Sequence, residues 1–567
     1  MGGATTMKSL ASFASSFALF SCVFTVANAT NSKLRFGPQS INLWRLDARE
    51  RVLLAAHPAV SPLVLQDTSN IGLSALPTAS SQKPVEFPEQ HFIQPIDHHN
   101  HTAGTFGQRY WVNTRHYISG SGGPVIVLDG GETSGEERIP FLDTGIVDML
   151  AKATGGVGVV LEHRYYGKSI PVSDFSTDNL RWLNNDQAAA DSANFMANVK
   201  FYGIDEDLTA PNVPWIYYGG SYAGARSAHM KILYPELVFG AVASSAVTHA
   251  TLSNWEYYEV IRQAADPNCT AHIENTVKTL DILLEIPYLN PYVKALFGLQ
   301  DLKHDDDFMS VIETPLGNWQ AKNWDPAVGS QKFDEFCETL NKPIFGATDI
   351  SALPVGHEDR LLSLPGGHRI DFSILNYAQY IREGLVKRCL NVDMTVEECF
   401  GTYNDTVFME TAINQDWRLW TFQVCTEWGY FFTAPPDPEY PRIVSKLMTM
   451  DYATKICQQA FPPGKYFVVP PLPNITAVNA LGDFAIATDR LAFIDGDVDP
   501  WKPCTPHSAH ADDREDTILR PFKLIPGGVH HYDENGLRNI TDEPLEIQKI
   551  HYEIINFVLK WLEDFEA

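Results

Sequence analysis

The hexapeptide Gly219–Gly224 (GGSYAG) carries the strongest chemical signal in this chain. An apolar run, WIYY, precedes it and a helix-like stretch follows it. A serine on such a tight strand-to-helix turn is presented for nucleophilic attack, because small neighbours let the backbone pack closely. The pattern departs from G-x-S-x-G only at Ala223, which is still small. Ser221 is therefore the candidate nucleophile, and an ordinary glycine-rich turn is the alternative for the motif taken alone.

A nucleophilic serine needs a base and an orienting acid, which in hydrolases of this type follow it in the order acid, then histidine. Downstream, the strand-like run RLAFI enters a loop with Asp495, Asp497 and Asp499, and the next run, FKLI, enters a loop with His530 and His531. Acid and histidine thus follow consecutive predicted strands in the required order. Spacing alone leaves both histidines open as the base.

Acyl transfer also needs backbone N–H groups that stabilise the developing oxyanion. One donor is expected from Tyr222, directly after the nucleophile. The second is expected from the loop Gly130-Gly131-Glu132, which follows the early strand Pro124–Leu128, with Gly131 as the candidate. A plain turn is the alternative for these glycines.

Histidines and acids cluster at Asp97-His98-His99-Asn100-His101, which raises the question of a metal. No Glu or Cys completes a known ligand spacing there, and adjacent side chains such as those of His530 and His531 rarely bind one ion. We expect no metal and no cofactor.

Composition limits the classes of function. The chain has 567 residues, of which 44% are hydrophobic and 20% charged, as is typical of a globular protein. With 42 basic and 69 acidic residues its formal net charge is −27, which argues against nucleic-acid binding because phosphate contacts need clustered Lys and Arg.

The N-terminus resembles a secretory signal peptide. Lys8 precedes the uncharged run Leu10–Val26, which ends in the small-x-small site Ala27-Asn28-Ala29. Residues 1–29 are therefore predicted to be removed, and a membrane anchor is the alternative. Residues 30–85 are predicted to be an N-terminal extension or pro-segment, and no membrane span is expected after signal removal.

Apolar runs alternate with helix-like stretches in two parts of the chain, residues 86–249 and 412–567. This alternation predicts one α/β unit with a mainly parallel sheet. Residues 250–411 have helical periodicity and few strands, which predicts an inserted helical domain.

Sequons and cysteines fit a secreted protein. An odd number of cysteines remains after signal removal, so up to three disulfides and one free thiol are expected. The candidate glycosylation sites are Asn100, Asn268, Asn404, Asn474 and Asn539.

Taken together, these motifs make the sequence similar to the serine carboxypeptidase S28 family, which includes prolyl carboxypeptidases, dipeptidyl peptidases and secreted fungal prolyl peptidases. The resemblance spans about residues 90–560, and the sequence most resembles a secreted fungal member. It rests on Gln94–His98 (QPIDH), Glu162–Ser169 (EHRYYGKS), Leu180–Leu183 (LRWL), Gly219–Gly224, Cys425–Glu427 (CTE), Asp499–Trp501 (DPW) and Gly528–His531 (GVHH).

The resemblance implies an α/β-hydrolase core with an inserted helical cap domain. It also implies Ser221 as nucleophile, Asp499 as orienting acid and His530 as base. Members cleave after proline, and a tryptophan could form a wall against the proline ring. The candidate substrate-binding residues are Glu132, Trp501 and Tyr430.

The resemblance further implies a disulfide between Cys425 and Cys457. Proximity suggests Cys389–Cys399, and elimination then suggests Cys269–Cys337 and leaves Cys504 free.

The leading hypothesis is a secreted serine peptidase that acts on proline-containing peptides or proteins through an acyl-enzyme. An esterase or lipase on the same fold and a non-catalytic binding protein are the alternatives. Carboxypeptidase, dipeptidyl and internal cleavage stay open, as do a vacuolar or lysosomal location and a homodimer. Ala225, where lysosomal relatives carry a bulkier residue, slightly favours internal cleavage or broad tolerance.

Overall fold

The computed structural model describes residues 87–342, 361–363 and 369–566, together with Leu43, Arg45, Leu46 and Arg49. The predicted signal peptide lies outside the described residues, as does most of the predicted extension.

The core is an eight-stranded sheet with the order β1-β2-β4-β3-β5-β6-β11-β12. Strands β1 and β2 pair antiparallel with each other, and β2 pairs antiparallel with β4, whereas the pairs from β4 to β12 are parallel. The strands of this sheet are β1 (Gln90–Pro95), β2 (Thr105–Asn113), β3 (Val125–Asp129), β4 (Val157–Leu161), β5 (Trp215–Gly220), β6 (Gly240–Ser244), β11 (Leu491–Gly496) and β12 (Phe522–Ile525).

Two short two-stranded sheets complete the strands of the described residues, with β7 paired to β10 and β8 to β9. Their bounds are β7 (Thr251–Ser253), β8 (Leu361–Ser363), β9 (Arg369–Asp371) and β10 (Gly429–Phe431). The α-helices are α1 (Pro140–Asp143), α2 (Ile146–Thr154), α3 (Asn185–Asn198), α4 (Tyr222–Leu233), α5 (Glu256–Ala264), α6 (Pro267–Leu284), α7 (Asn290–Leu296), α8 (Asp305–Glu313), α9 (Lys332–Asn341), α10 (Ser373–Ile381), α11 (Lys387–Asn391), α12 (Val396–Phe400), α13 (Trp417–Gln423), α14 (Met450–Ala460), α15 (Ile475–Asn479) and α16 (Leu545–Leu562).

Helices cover both faces of the main sheet. Successive strand residues point to opposite faces, so Val125 and Val127 pack with α3 and α4, whereas Ile126 and Leu128 pack with α2 and α16. Strands β3 to β6 are buried throughout, which explains their continuous apolar sequences. This arrangement is an α/β-hydrolase core, as predicted.

The chain leaves the main sheet after β6 and rejoins it at β11. Helices α5–α12 lie in this interval, and their apolar faces form a separate hydrophobic cluster that also contains Trp501 and Val529 from the strand-end loops. We call residues 256–400 the cap. The predicted domain limits at 250 and 411 stay predictions, and α13–α15 and β10 follow before β11.

Candidate active site

Ser221 lies between β5 and α4 on a turn that only small neighbours allow. Its φ is +59°, a strained value for a residue with a side chain. A Cβ on Gly219 would overlap the carbonyl oxygen of Ala223, and a Cβ on Gly224 would overlap that of Ser244. The Ser221 N–H donates to the Ser244 carbonyl at 2.9 Å, which fixes the turn. The local sequence therefore produces a nucleophile elbow.

The structure brings the three predicted catalytic residues together. Ser221 follows β5, Asp499 follows β11 and His530 follows β12, so all three lie at the carboxyl ends of parallel strands. His530 Nε2 is 2.9 Å from Ser221 Oγ, and His530 Nδ1 is 2.9 Å from Asp499 Oδ2. The side chains form one hydrogen-bonded line from Asp499 through His530 to Ser221.

Asp499 is held as a carboxylate although it is fully buried. Burial acts to raise its pKa, but the charge of His530 and hydrogen bonds from His530, the Trp501 N–H and Ser245 together lower the pKa below the usual value. The Trp501 N–H donates to Asp499 Oδ1 at 2.9 Å. Ser245 also accepts the His531 N–H at 3.1 Å, so one serine ties the acid to the histidine loop.

The two predicted oxyanion donors have different surroundings. Tyr222 is the first residue of α4, so its N–H has no intrahelical acceptor and can serve as a donor. The Gly131 N–H, however, donates to Asp129 Oδ1 at 3.0 Å within its own turn. A hydrogen bond between the Glu132 N–H and its own carboxylate acts to lower the pKa of that side chain. The identity of the second oxyanion donor stays a prediction.

This loop approaches the elbow closely. Gly131 has a φ of +64°, and a Cβ there would lie 3.3 Å from the Cβ of Ala223. The Glu132 side chain is 7% exposed, and burial raises its pKa although the charges of Arg138 and His530 oppose this. A buried acid therefore flanks the triad, where a substrate-binding role was predicted.

The other two predicted substrate-binding residues belong to an aromatic group beside the triad, which we call the aromatic wall. The Trp501 ring lies 6.1 Å from the His530 ring and 5.3 Å from the Tyr430 ring. Tyr257 and Phe432 complete the wall, with ring centroids 5.5 and 5.8 Å from that of Trp501. Trp501 is 2% exposed, so the wall is a packed surface.

Sequence reasoning did not assign the residues that hold Tyr222. The His163 Nδ1 faces the Arg164 carbonyl at 2.7 Å and must donate to it, so His163 Nε2 accepts the Tyr222 hydroxyl at 3.0 Å. Burial lowers the pKa of His163 to about 4, which keeps the ring neutral. Gln423 Nε2 donates to the same hydroxyl at 2.9 Å. His163 belongs to the EHRYYG motif and Gln423 precedes CTE, so three motifs of the chain converge behind the nucleophile.

The structure has three disulfides, Cys269–Cys337, Cys389–Cys399 and Cys425–Cys457, which are the pairs given in the sequence analysis. Cys504 is free and buried. The five sequon asparagines are all exposed, as glycosylation requires: Asn100, Asn268, Asn404, Asn474 and Asn539.

His98 and His99 of the Asp97–His101 segment bond to carboxylates on α3. His98 Nε2 lies 2.7 Å from Asp191 Oδ1, and His99 Nε2 lies 2.5 Å from Asp186 Oδ2. Asp191 also pairs with Arg164, so this segment fastens β1 to α3. Within the described ranges, no three metal-ligating side chains converge and no helix is long and apolar enough to cross a bilayer.

Comparison with known proteins agrees with this geometry. The chain is 37% identical to a protein of Arthroderma benhamiae described as "Probable extracellular serine carboxypeptidase", over 96% of this chain and 74% of that protein. It is 28% identical to the serine protease vicPa of Bipolaris victoriae, over 84% and 89% of the two chains. It is 25% identical to the human thymus-specific serine protease, over 81% and 85%.

The sequence model of one peptidase family matches most of the chain. Residues 94–345 and 366–550 match the model of serine carboxypeptidase S28. Those ranges contain Ser221, Asp499 and His530, together with the residues that position them. The chain therefore belongs to the serine carboxypeptidase S28 family of serine peptidases.

Proposed function

We propose that this serine peptidase hydrolyses peptide bonds preferentially after proline, with Ser221 as nucleophile, His530 as general base and Asp499 as orienting acid. The observation that carries the proposal is the hydrogen-bonded line of these three side chains at the elbow. The proposal that the protein is secreted rests on the predicted signal peptide, the three disulfides and the name of the fungal relative.

The hydrogen bonds support a definite direction of proton transfer. The Asp499 carboxylate can only accept, so His530 Nδ1 carries a proton and Nε2 is free to accept one from Ser221 Oγ. As Oγ attacks the scissile carbonyl carbon, its proton passes to Nε2. The carbonyl oxygen becomes an oxyanion that the Tyr222 N–H and an N–H of the loop Gly130-Gly131-Glu132, with Gly131 as the predicted donor, can stabilise.

Collapse of the tetrahedral intermediate breaks the C–N bond, and the proton on Nε2 passes to the leaving amine. An ester then links Ser221 to the acyl part of the substrate. Water attacks this ester while His530 accepts its proton, and the second intermediate expels Ser221 Oγ, which regains the proton. The cycle needs no group outside the chain except water.

The preference for proline is supported by the family and by the aromatic wall. Proline is a compact, rigid ring without an N–H, so a flat apolar surface can bind it without leaving a donor unpaired. Trp501 lies next to His530 and is 2% exposed, so it backs the surface that meets the residue before the scissile bond. Direct contact of a proline ring with the Trp501 ring requires neighbouring side chains to move aside. Ala is expected to be a weaker substrate at this position.

The test uses the secreted protein, Ser221→Ala and a matched control, Ser253→Ala, on strand β7. A serine-reactive phosphonate should label the parent and the control and should leave Ser221→Ala unlabelled. Peptide hydrolysis should vanish in Ser221→Ala alone. Normal turnover by Ser221→Ala would contradict the mechanism.

Substrate choice is tested on peptides with Pro, Ala, Leu or Phe before the scissile bond. Equal rates on all four would contradict the proline preference. The same peptides blocked at the amino end, the carboxyl end or both will assign internal, dipeptidyl or carboxypeptidase cleavage. Matched esters will show whether the enzyme favours amides.

A further inference from the structure

One segment of the cap contacts both the loop that carries Asp499 and the loop that carries His530. We call Trp319–Asp325 the cap bridge. The Trp319 indole N–H donates to the Val498 carbonyl at 2.9 Å, next to Asp499. The Trp324 indole N–H donates to the Tyr532 carbonyl at 3.0 Å, two residues after His530. The bridge therefore fixes the cap to both catalytic loops.

Gln320 occupies the middle of this contact and is 4% exposed. Its Oε1 accepts the Trp501 indole N–H at 2.9 Å and the Tyr257 hydroxyl at 2.9 Å. An indole N–H can only donate, so the oxygen and not the nitrogen of the Gln320 amide must face Trp501. Two lone pairs of one oxygen thus satisfy two buried donors of the aromatic wall.

These two hydrogen bonds fix the orientation of two side chains of the aromatic wall, Trp501 and Tyr257. An indole ring has two side-chain torsions, and a hydrogen bond at Nε1 favours the rotamer that points this N–H at its acceptor. Burial and the nearby Asp499 charge raise the pKa of Tyr257, so its hydroxyl stays a donor. The positions of Trp501 and Tyr257 therefore both depend on hydrogen bonds to one atom of the cap, Gln320 Oε1.

From this geometry we propose that Gln320 is a positioning residue for substrate choice, which holds Trp501 and Tyr257 in their packed arrangement beside His530 and so fixes the shape of the surface that receives a proline ring before the scissile bond. This inference rests on the proposed function, because it explains how the cap takes part in the proline preference. Gln320 acts through the aromatic wall and lies outside the proton path from Ser221 to Asp499.

The experiment compares Gln320→Met, which keeps the length and loses the acceptor, with Gln320→Glu, which keeps an acceptor oxygen. Gln459→Met is the matched control, since Gln459 is also a buried amide but bonds to Thr402 and Asp405 away from the wall. The kcat and KM of each variant are measured on peptides that differ only in Pro or Ala before the scissile bond. Phosphonate labelling rates report the state of the triad.

We expect Gln320→Met to lower the ratio of kcat/KM for Pro over Ala at least tenfold. Its labelling rate and its kcat/KM for the Ala peptide should stay within threefold of the parent. Gln320→Glu should keep at least a third of the parent ratio, and Gln459→Met should leave the ratio unchanged.

Three results would overturn the inference. The first is an unchanged Pro-over-Ala ratio of kcat/KM in Gln320→Met. The second is an equal loss of kcat/KM on both peptides in that variant. The third is a Gln320→Glu variant whose ratio is as low as that of Gln320→Met. If the parent enzyme prefers Pro and Gln320→Met has the same Pro-over-Ala ratio of kcat/KM, only this inference is contradicted. A parent enzyme without a proline preference contradicts both this inference and the preference in the proposed function.

Discussion

His530 and His531 are neighbours in the chain but have different surroundings. His530 bonds to both Ser221 and Asp499. His531 Nδ1 lies 3.1 Å from Glu534 Oε2, and its ring lies against Gly220 beneath the elbow. Burial and the adjacent His530 lower the pKa of His531, so this ring stays neutral and supports the turn by packing. Of these two histidines, His530 has the geometry that the proposed general base requires.

We therefore expect His530→Ala to lower kcat by about 10⁴-fold or more, because no other group can take the proton from Ser221. His531→Ala should cost less than about 100-fold in kcat but should lower the thermal unfolding temperature, since it removes a buried ring. Both quantities are measured on the purified variants. A larger loss of kcat in His531→Ala would reverse the proposed roles.

Among single residues, the sequence predicted those that directly follow strand ends. It did not predict the residues that hold them through contacts between distant segments of the chain. Ser221, Asp499 and His530 could be predicted because each follows an apolar run in an order that hydrolases require. Ser245 and Gln320 could not, because their roles depend on contacts between segments far apart in the chain. The hydrogen bond of the Gly131 N–H to Asp129 also depends on the shape of the turn, which the sequence does not reveal.

The elements of the core agree closely with their apolar runs. The apolar runs WIYY and FKLI of the sequence analysis correspond to β5 and β12. Strands β1 and β2 were not predicted, because Gln, Arg and His interrupt their apolar pattern. Those polar side chains are used in networks, such as Arg109 with Glu162 inside the core, that only the tertiary structure reveals.

A buried acid links two central strands just below the elbow. Asp533 accepts the Tyr218 hydroxyl of β5 at 2.8 Å and the Ser244 hydroxyl of β6 at 2.5 Å. Burial raises its pKa from 3.8 to about 6. The folded state therefore holds this proton more tightly than the unfolded chain, so its contribution to stability is complete below pH 3.8 and is lost as the pH rises through about 6.

Asp533→Asn should remove this dependence, since an amide does not titrate. Relative to the variant, we expect the parent to lose on the order of 2–3 kcal/mol of stability between pH 4 and 7. Thermal unfolding at four or five pH values measures this pH dependence of stability, with Asp489→Asn as the control at an exposed position. Parallel curves for the parent and Asp533→Asn would contradict the assignment.

The disulfide Cys425–Cys457 joins the segment after α13 to α14 and closes a loop of 32 residues. Breaking it with Cys457→Ser should lower the free energy of unfolding by roughly 3–4 kcal/mol in the chain-entropy model. Gln423 and Trp428, on either side of Cys425, contact Tyr222, so the variant should also lose part of its kcat. Denaturant unfolding and peptide assays measure the two effects, and a variant unchanged in both would contradict this role.

Across the whole molecule, the cap contacts a part of the chain far from its own sequence. Leu43 and Leu46, from the predicted extension or pro-segment, are 4% and 0% exposed and belong to the hydrophobic cluster of the cap. Arg45 Nη1 donates to the Glu398 carbonyl on α12 at 3.4 Å. These contacts indicate that Leu43, Arg45 and Leu46 stabilise the folded cap.

Leu46→Asp tests this, because it places a carboxylate where a buried leucine packs. We expect the free energy of unfolding to fall by roughly 2–5 kcal/mol, from lost packing and an unpaired charge. Arg49→Ser, at an exposed position of the same segment, should change it by less than about 0.5 kcal/mol. If Leu46→Asp and Arg49→Ser unfold at the same denaturant concentration as the parent, the segment contributes nothing to the cap. If only Leu46→Asp is destabilised, the cap requires the buried side chains of this segment for its stability. We then expect that, after any cleavage between this segment and β1, the segment stays bound to the mature enzyme.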